Sequence, residues 1–211
     1  MTALHRHQLA RLTPSGWQRL MDGPWDAQAR TCLAHWAEHG LPLVVTRQRD
    51  DDAIALGLCA PRRWGSRRIA LSVVRHEVLF FDEFPRLDQL LTQLPPDARA
   101  PARQLALALR ACGVTARVYG SHGWQQLTGL PHVRDGSDLD LWIGVNGPEQ
   151  ADAVAAALDA FACPSRRLDG ELVFDGDAAV AWREWRAWRD GRAFALLVKR
   201  LHGATLEEAL A

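Results

Sequence analysis

Two short stretches carry the residue types that phosphate chemistry needs. Gly120-Ser121 closes an apolar run that begins at Val114, and Asp138-Leu139-Asp140 opens another that ends at Val145. Side chains alternate along a strand, so Asp138 and Asp140 share one face while Leu139 and Leu141 turn into a core. Two carboxylates so placed repel each other unless a cation lies between them. An all-oxygen pair suits Mg2+, which also bridges the phosphates of a nucleotide-like substrate. Gly120 and Ser121, at a strand end, bring backbone N–H groups and a hydroxyl to phosphate oxygens with no bulky side chain in the way. Asp-x-Asp alone also serves as a cap or a solvated loop, and Gly-Ser is common. Their order, strand, Gly-Ser, loop, Asp-x-Asp between apolar flanks, selects the metal-and-phosphate reading.

The elements that must position these residues follow from periodicity and breakers. Residues 25–39 have helical apolar spacing at Ala29, Leu33, Trp36 and Ala37. The β-rich runs 41–47 and 53–59 flank the polar turn Gln48-Arg49-Asp50-Asp51-Asp52 and predict a hairpin. Strands are expected at 69–74 and 76–81, then a leucine-patterned helix from Pro85 to Pro95-Pro96. The double proline is taken as the boundary between an N-terminal α+β domain, residues 1–95, and a catalytic domain, residues 96–211. In the second half, a helix over 98–112 stops at Gly113, strands cover 114–119 and 139–145, and the stretch between them is a loop. Asn146-Gly147-Pro148 starts a helix to Phe161. Strands are expected at 171–174, 179–188 and 193–200, and Thr205-Leu206-Glu207-Glu208 has capping-box spacing. The fold class is α+β.

Several side chains near the motif have two readings each. Trp124 and Gln125 either contact the triphosphate or base, or pack the loop. His132, Arg134 and Asp135 lie in the loop before the aspartates; Arg134 matches pyrophosphate oxygens, as do Lys199 and Arg200, though a solvated position explains all three. The run Arg62-Arg63-Trp64-Gly65-Ser66-Arg67-Arg68 offers cations for phosphates or for an acidic partner. His35 and His39, four apart on a helix, could hold a metal, but the sequence shows no third ligand, and a polar helix face accounts for them. Among the nine tryptophans, Trp182, Trp185 and Trp188 read as core packing on both faces of a strand.

Composition excludes several classes. The 25 basic and 25 acidic residues cancel, so no overall field draws nucleic acid or anionic lipid, and phosphate recognition must be local. The 211 residues, 48% hydrophobic, suffice for a substantial core. Four cysteines without a C-x-x-C pair exclude a zinc ribbon or redox dithiol and read as buried free thiols. No run approaches a membrane span, and a cytoplasmic protein is expected.

Taken together, these residues resemble the nucleotidyltransferase superfamily: a strand ending in Gly-Ser, a strand bearing Asp-x-Asp, and a further carboxylate on a later strand. Sixteen residues separate Ser121 from Asp138, more than that pattern usually has, which marks an offshoot. The string Gly-Ser-x-x-Trp-Gln-x-Leu-Thr-Gly, then Asp-Gly-Ser-Asp-Leu-Asp-Leu-Trp, Asp-Gly-Glu-Leu-Val-Phe and Val-Ala-Trp-Arg-Glu, resembles the malonate decarboxylase holo-acyl-carrier-protein synthases. The resemblance covers the whole chain and implies a nucleotidyltransferase-like mixed sheet with flanking helices. It implies transfer of phosphoribosyl-dephospho-CoA from 2'-(5''-triphosphoribosyl)-3'-dephospho-CoA to a serine of the apo acyl carrier protein subunit of malonate decarboxylase. Asp138 and Asp140 would hold Mg2+, with Gly120, Ser121, Trp124, Gln125, Arg134 and Lys199 binding substrate. For the third carboxylate Glu184 is preferred, with Glu171 and Asp175 competing. Neither nucleic acid nor membrane is an expected partner. The competing functions are another nucleotidyltransferase, such as the prosthetic-group transferase serving citrate lyase, and a catalytically silent nucleotide-binding module.

Overall fold

The computed structural model describes residues 4–49 and 52–210. In the N-terminal half β1 (Leu9–Leu12) leads into α1 (Pro14–Met21), then α2 (Ala27–Glu38), β2 (Leu43–Val45), β3 (Ala53–Cys59), β4 (Arg68–Val74) and β5 (Val78–Asp82). Pro14 at the first turn and the Thr13 hydroxyl, which accepts from Gly16 N, start α1; the Asp26 carboxylate accepts from Ala29 N and starts α2. The strands form an antiparallel sheet in the order β4-β3-β2-β1-β5. The expected hairpin of β2 and β3 is present, although Asp50 and Asp51 of its turn lie outside the described residues. The sequence reading did not anticipate β1, whose Leu9 and Ala10 are fully buried as a central strand.

The C-terminal half runs α3 (Pro96–Ala111), β6 (Ala116–Val118), α4 (Gly120–Thr128), β7 (Leu139–Gly144), α5 (Pro148–Asp159), β8 (Leu168–Phe174), β9 (Ala178–Ala181), α6 (Trp182–Arg189), β10 (Leu196–Lys199) and β11 (Ala204–Glu207). Its sheet has the order β11-β10-β9-β8-β7-β6. Only β7 and β8, joined by the crossover helix α5, run parallel, and their register sets Asp140 opposite Asp169 and Trp142 opposite Glu171. The result is α+β, as expected.

Four local expectations differ from the structure. Residues 85–95 form a short 3-10 turn at Leu87–Gln89 instead of a helix; Arg99 donates to the carbonyls of Thr92 and Leu94. Leu87, Leu90 and Leu94 pack into the second core. The loop after Gly120 is largely helix α4. Strand character over 179–188 ends at Ala181: Trp182 and Trp185 are spaced for one buried helical face, while Arg186 and Arg189 pair outward with Asp159 and Asp152 on α5. The C-terminal Thr205-Leu206-Glu207 pairs with β10 as a strand instead of capping a helix. The core-packing reading of Trp182, Trp185 and Trp188 stands, on a helix. The four cysteines are free thiols, of which only Cys32 is buried.

Each sheet has its own hydrophobic core, and residues of the C-terminal half, Tyr119, Trp124 and Leu127 among them, pack against the N-terminal one. Trp124, on α4, belongs to the N-terminal core, where it meets Phe84 edge-on at 5.6 Å and Trp36 at 6.5 Å between ring centroids. The helix that begins with Gly120 is thereby bolted to the opposite domain.

Candidate active site

Asp138, Asp140 and Asp169 each bring a carboxylate oxygen within 4.8 Å of the others. Asp140 is the second residue of β7, Asp138 the residue just before that strand, and Asp169 the second residue of the parallel neighbour β8. Asp140 is half-buried, and its carboxyl is pushed up to about 7, by burial first and then by Asp169 and Asp138. Arg167 donates two hydrogen bonds to Asp138, at 3.0 and 2.5 Å, and holds that carboxyl below the usual range; Arg183 lies 3.7 Å from Asp169. Burial and two neighbouring carboxylates thus both oppose negative charge on Asp140. The all-oxygen donor set fits a hard divalent cation such as Mg2+.

Gly120 abuts this cluster. Its φ of 62° lies in the left-handed region, and a Cβ on it would overlap the Asp140 carboxylate. Both conditions demand glycine. The amides opening α4 have no intrahelical acceptor, and Ser121 lines the same cleft as Asp140. Tyr119, the residue before α4, donates its backbone N–H to the Asp140 carbonyl, which locks the helix start to β7.

The cleft measures about 850 Å3 and lies between the two sheets. Asp140, Gly120 and Ser121 form one wall; Val45, Leu58 and Ile69 of the N-terminal sheet, with Arg47, Arg62 and Arg68, form the other. Arg134 lines it too. Arg67 instead pairs with Asp26 at 2.5 Å, and Arg63 stacks over Trp64.

Other residues from the sequence reading sit apart from the carboxylates. Glu184 is exposed on α6 and does not join the cluster; Asp169, which the sequence reading passed over, does. Glu171 lies on the same face of β8 as Asp169 but is buried and engaged by Lys199 at 2.8 Å, so Lys199 is committed to a carboxylate. Gln125 accepts from the backbone N–H groups of His132 and Val133 and shapes the loop before the aspartates. Trp124 is buried packing as well as cleft wall. His132 is buried against Trp124, and burial pushes its imidazole down to about 4. His35 and His39 do find a third ligand in Glu38, so His35, Glu38 and His39 form a second compact group. Among the described residues, no helix is long and apolar enough to cross a membrane.

Comparison with known proteins covers both halves. The N-terminal domain of phosphoribosyl-dephospho-CoA transferase MdcG matches residues 5–84, and its C-terminal domain matches residues 86–209. A protein of Bradyrhizobium diazoefficiens named phosphoribosyl-dephospho-CoA transferase is 37% identical, over 95% of this chain and 88% of its own length. Proteins of the same name from Xanthomonas campestris pv. campestris and Klebsiella pneumoniae are 34% and 31% identical, over 84% and 95% of this chain and 84% and 92% of their own. No solved structure matches.

Proposed function

The chain belongs to the phosphoribosyl-dephospho-CoA transferase family, and from that premise we propose the reaction it performs. It moves the phosphoribosyl-dephospho-CoA group of 2'-(5''-triphosphoribosyl)-3'-dephospho-CoA onto a serine of the apo acyl carrier protein subunit of malonate decarboxylase, releasing pyrophosphate. The observation that carries this reading is the meeting of Asp138, Asp140 and Asp169 beside Gly120, in a chain that matches both family domains.

The chemistry is one displacement at the phosphorus nearest the ribose, with no covalent enzyme intermediate. Asp138, Asp140 and Asp169 would hold Mg2+, which when bound supplies the positive charge that the triphosphate and the departing pyrophosphate need. The start of α4 and the Ser121 hydroxyl offer donors to phosphate oxygens. Arg134 on the cleft rim suits the leaving group by charge and planar geometry. The N-terminal wall, apolar with Arg47, Arg62 and Arg68 around it, suits the long arm and diphosphate of dephospho-CoA. Catalysis is then positioning and electrostatics.

Intact-mass analysis tests the reading. Apo malonate decarboxylase carrier, incubated with the protein, Mg2+ and the triphosphoribosyl substrate, gains the mass of the prosthetic group. An apo citrate lyase carrier serves as the competing acceptor. Modification of the citrate lyase carrier alone, or of neither, contradicts the assignment.

A further inference from the structure

The carboxylate cluster opens on two sides. Asp140 lines the cleft between the sheets, whereas Asp138 lines a second pocket of about 630 Å3 that shares no lining residue with the cleft. This pocket lies between the end of α5 at Leu158 and Asp159, the loop 161–167, and the start of α6 at Trp182 and Arg183. The chain leading to the aspartates forms the partition. Val133, Arg134 and Asp135 border a chamber that joins the cleft through Arg62, Ser66 and Arg134, while Gly136 and Asp138 border the second pocket. Gly136, with a φ of 77°, makes the turn from one side to the other. Oxygens of Asp138 and Asp140 lie within 4.8 Å of each other, so a phosphate held at the cluster is approachable from both openings.

The second pocket offers donors and lacks acceptors. Asp138 and Asp159, the carboxylates that line it, are already paired with Arg167 and Arg186. Arg166 donates to the Ser165 carbonyl at 2.6 Å, and among the described residues no carboxylate pairs with it. Arg166 Nε and the indole N–H of the buried Trp182 are both enclosed without an acceptor. Each of these groups can only donate, and a buried donor left unpaired is costly. The exposed Arg183 guanidinium lies over the Trp182 ring at 4.2 Å and 3.7 Å from Asp169, which ties the pocket wall to the cluster. An occupant that suits this wall is negatively charged and rich in carbonyl or carboxylate oxygens.

In a direct displacement at phosphorus the attacking and departing oxygens stand roughly in line, on opposite sides. With the triphosphoribosyl substrate in the cleft, an acceptor entering by the same mouth would have to pass the substrate itself. We propose that the second pocket is the acceptor's entrance. It receives the serine-bearing segment of the carrier, an acidic stretch whose oxygens meet Arg166 and Trp182 while its hydroxyl reaches the phosphorus past Asp138. This rests on the transferase reading above.

The test uses the full chain with apo carrier, Mg2+ and the triphosphoribosyl substrate, and compares wild type with Arg166→Glu, Arg166→Lys and Arg62→Glu. Arg166→Glu should raise the KM for the carrier at least about tenfold, the scale of an interface hot spot, and leave the KM for the triphosphoribosyl substrate within about twofold. Arg166→Lys should recover most of the loss, and Arg62→Glu, on the other opening, should show the reverse pattern. A photoreactive benzoylphenylalanine in place of Pro164, exposed on the pocket rim, should capture the carrier under illumination; one in place of Asp135, on the cleft side, should not. That measurement decides the matter even where Arg166→Glu fails to fold. The proposal is overturned if Arg166→Glu leaves both KM values unchanged, or if it changes the KM for the triphosphoribosyl substrate or the inhibition by pyrophosphate instead. Absence of capture at Pro164 overturns it too. If wild type modifies no carrier, the transferase reading fails, and capture at Pro164 reports on the pocket by itself.

Discussion

Among the described residues two groups of side chains are compact enough to hold a metal ion, and they are built in opposite ways. Asp138, Asp140 and Asp169 come from the start of two parallel strands joined by a crossover helix, with Asp140 half-buried and Gly120 pressed against it. His35, Glu38 and His39 lie within one turn at the end of α2 and face solvent, and the His39 ring hydrogen-bonds the His35 carbonyl. Arg63 and His39 both add to the burial that lowers the His35 pKa, so that neighbourhood already disfavours positive charge. Asp169 and Asp138 do the reverse to Asp140, adding to the burial that raises its carboxyl pKa. Proximity is alike in both groups. What separates them is the field around them and whether the fold spent long-range contacts in assembling them.

The comparison breaks most sharply under charge removal. Asp138→Asn or Asp140→Asn should cut carrier modification on the order of 10²–10³-fold, with shape retained and a counter-ion of the transition state gone. Far-UV circular dichroism beside the mass assay separates this from unfolding. Gly120→Ala comes next. The left-handed strain alone should lower the melting temperature by about 2–8 °C, and the overlap with Asp140 should depress transfer as well.

A smaller effect is a pH dependence of the metal-free protein. The Asp140 carboxyl, raised from 3.8 to about 7, binds its proton more tightly in the folded chain than in the unfolded one. That stabilisation is complete below about pH 4 and is lost as pH rises through about 7. Melting temperature in chelator should fall across that window, Asp140→Asn should flatten the fall, and Mg2+ should oppose it above the window. The smallest effect belongs to the other group: replacing His35 and His39 with alanine should leave turnover within about twofold and the Mg2+ response of the melting curve unchanged. A large loss there would erase the distinction between the two groups.

The sequence revealed the motif more clearly than its partner. Gly120-Ser121 and Asp138-x-Asp140 were legible because local alternation and a strand end define them, and the structure sets them side by side. Asp169 was not, because its place depends on which residue of β8 falls opposite Asp140, a register that parallel pairing and α5 decide. The available signal was Asp169-Gly170-Glu171 opening a strand, with the glycine facing Leu141 at a point where a Cβ would strike backbone. Glu184 attracted the assignment because residues 179–188 read as one strand; tryptophans three apart are also a helix period, and burial of Trp182 and Trp185 decided for the helix. The short β1 was equally hidden, since four residues carry little periodicity.

The most direct test of the central claim sets Asp169→Asn beside Glu184→Gln, with intact-mass detection of the modified carrier at saturating Mg2+. If the three aspartates form the metal site, Asp169→Asn transfers at least about a hundredfold more slowly than wild type, while Glu184→Gln, altered on an exposed helix face, stays within about twofold. Asp169→Asn turning over at the wild-type rate while Glu184→Gln fails would contradict the site as assembled from β7 and β8.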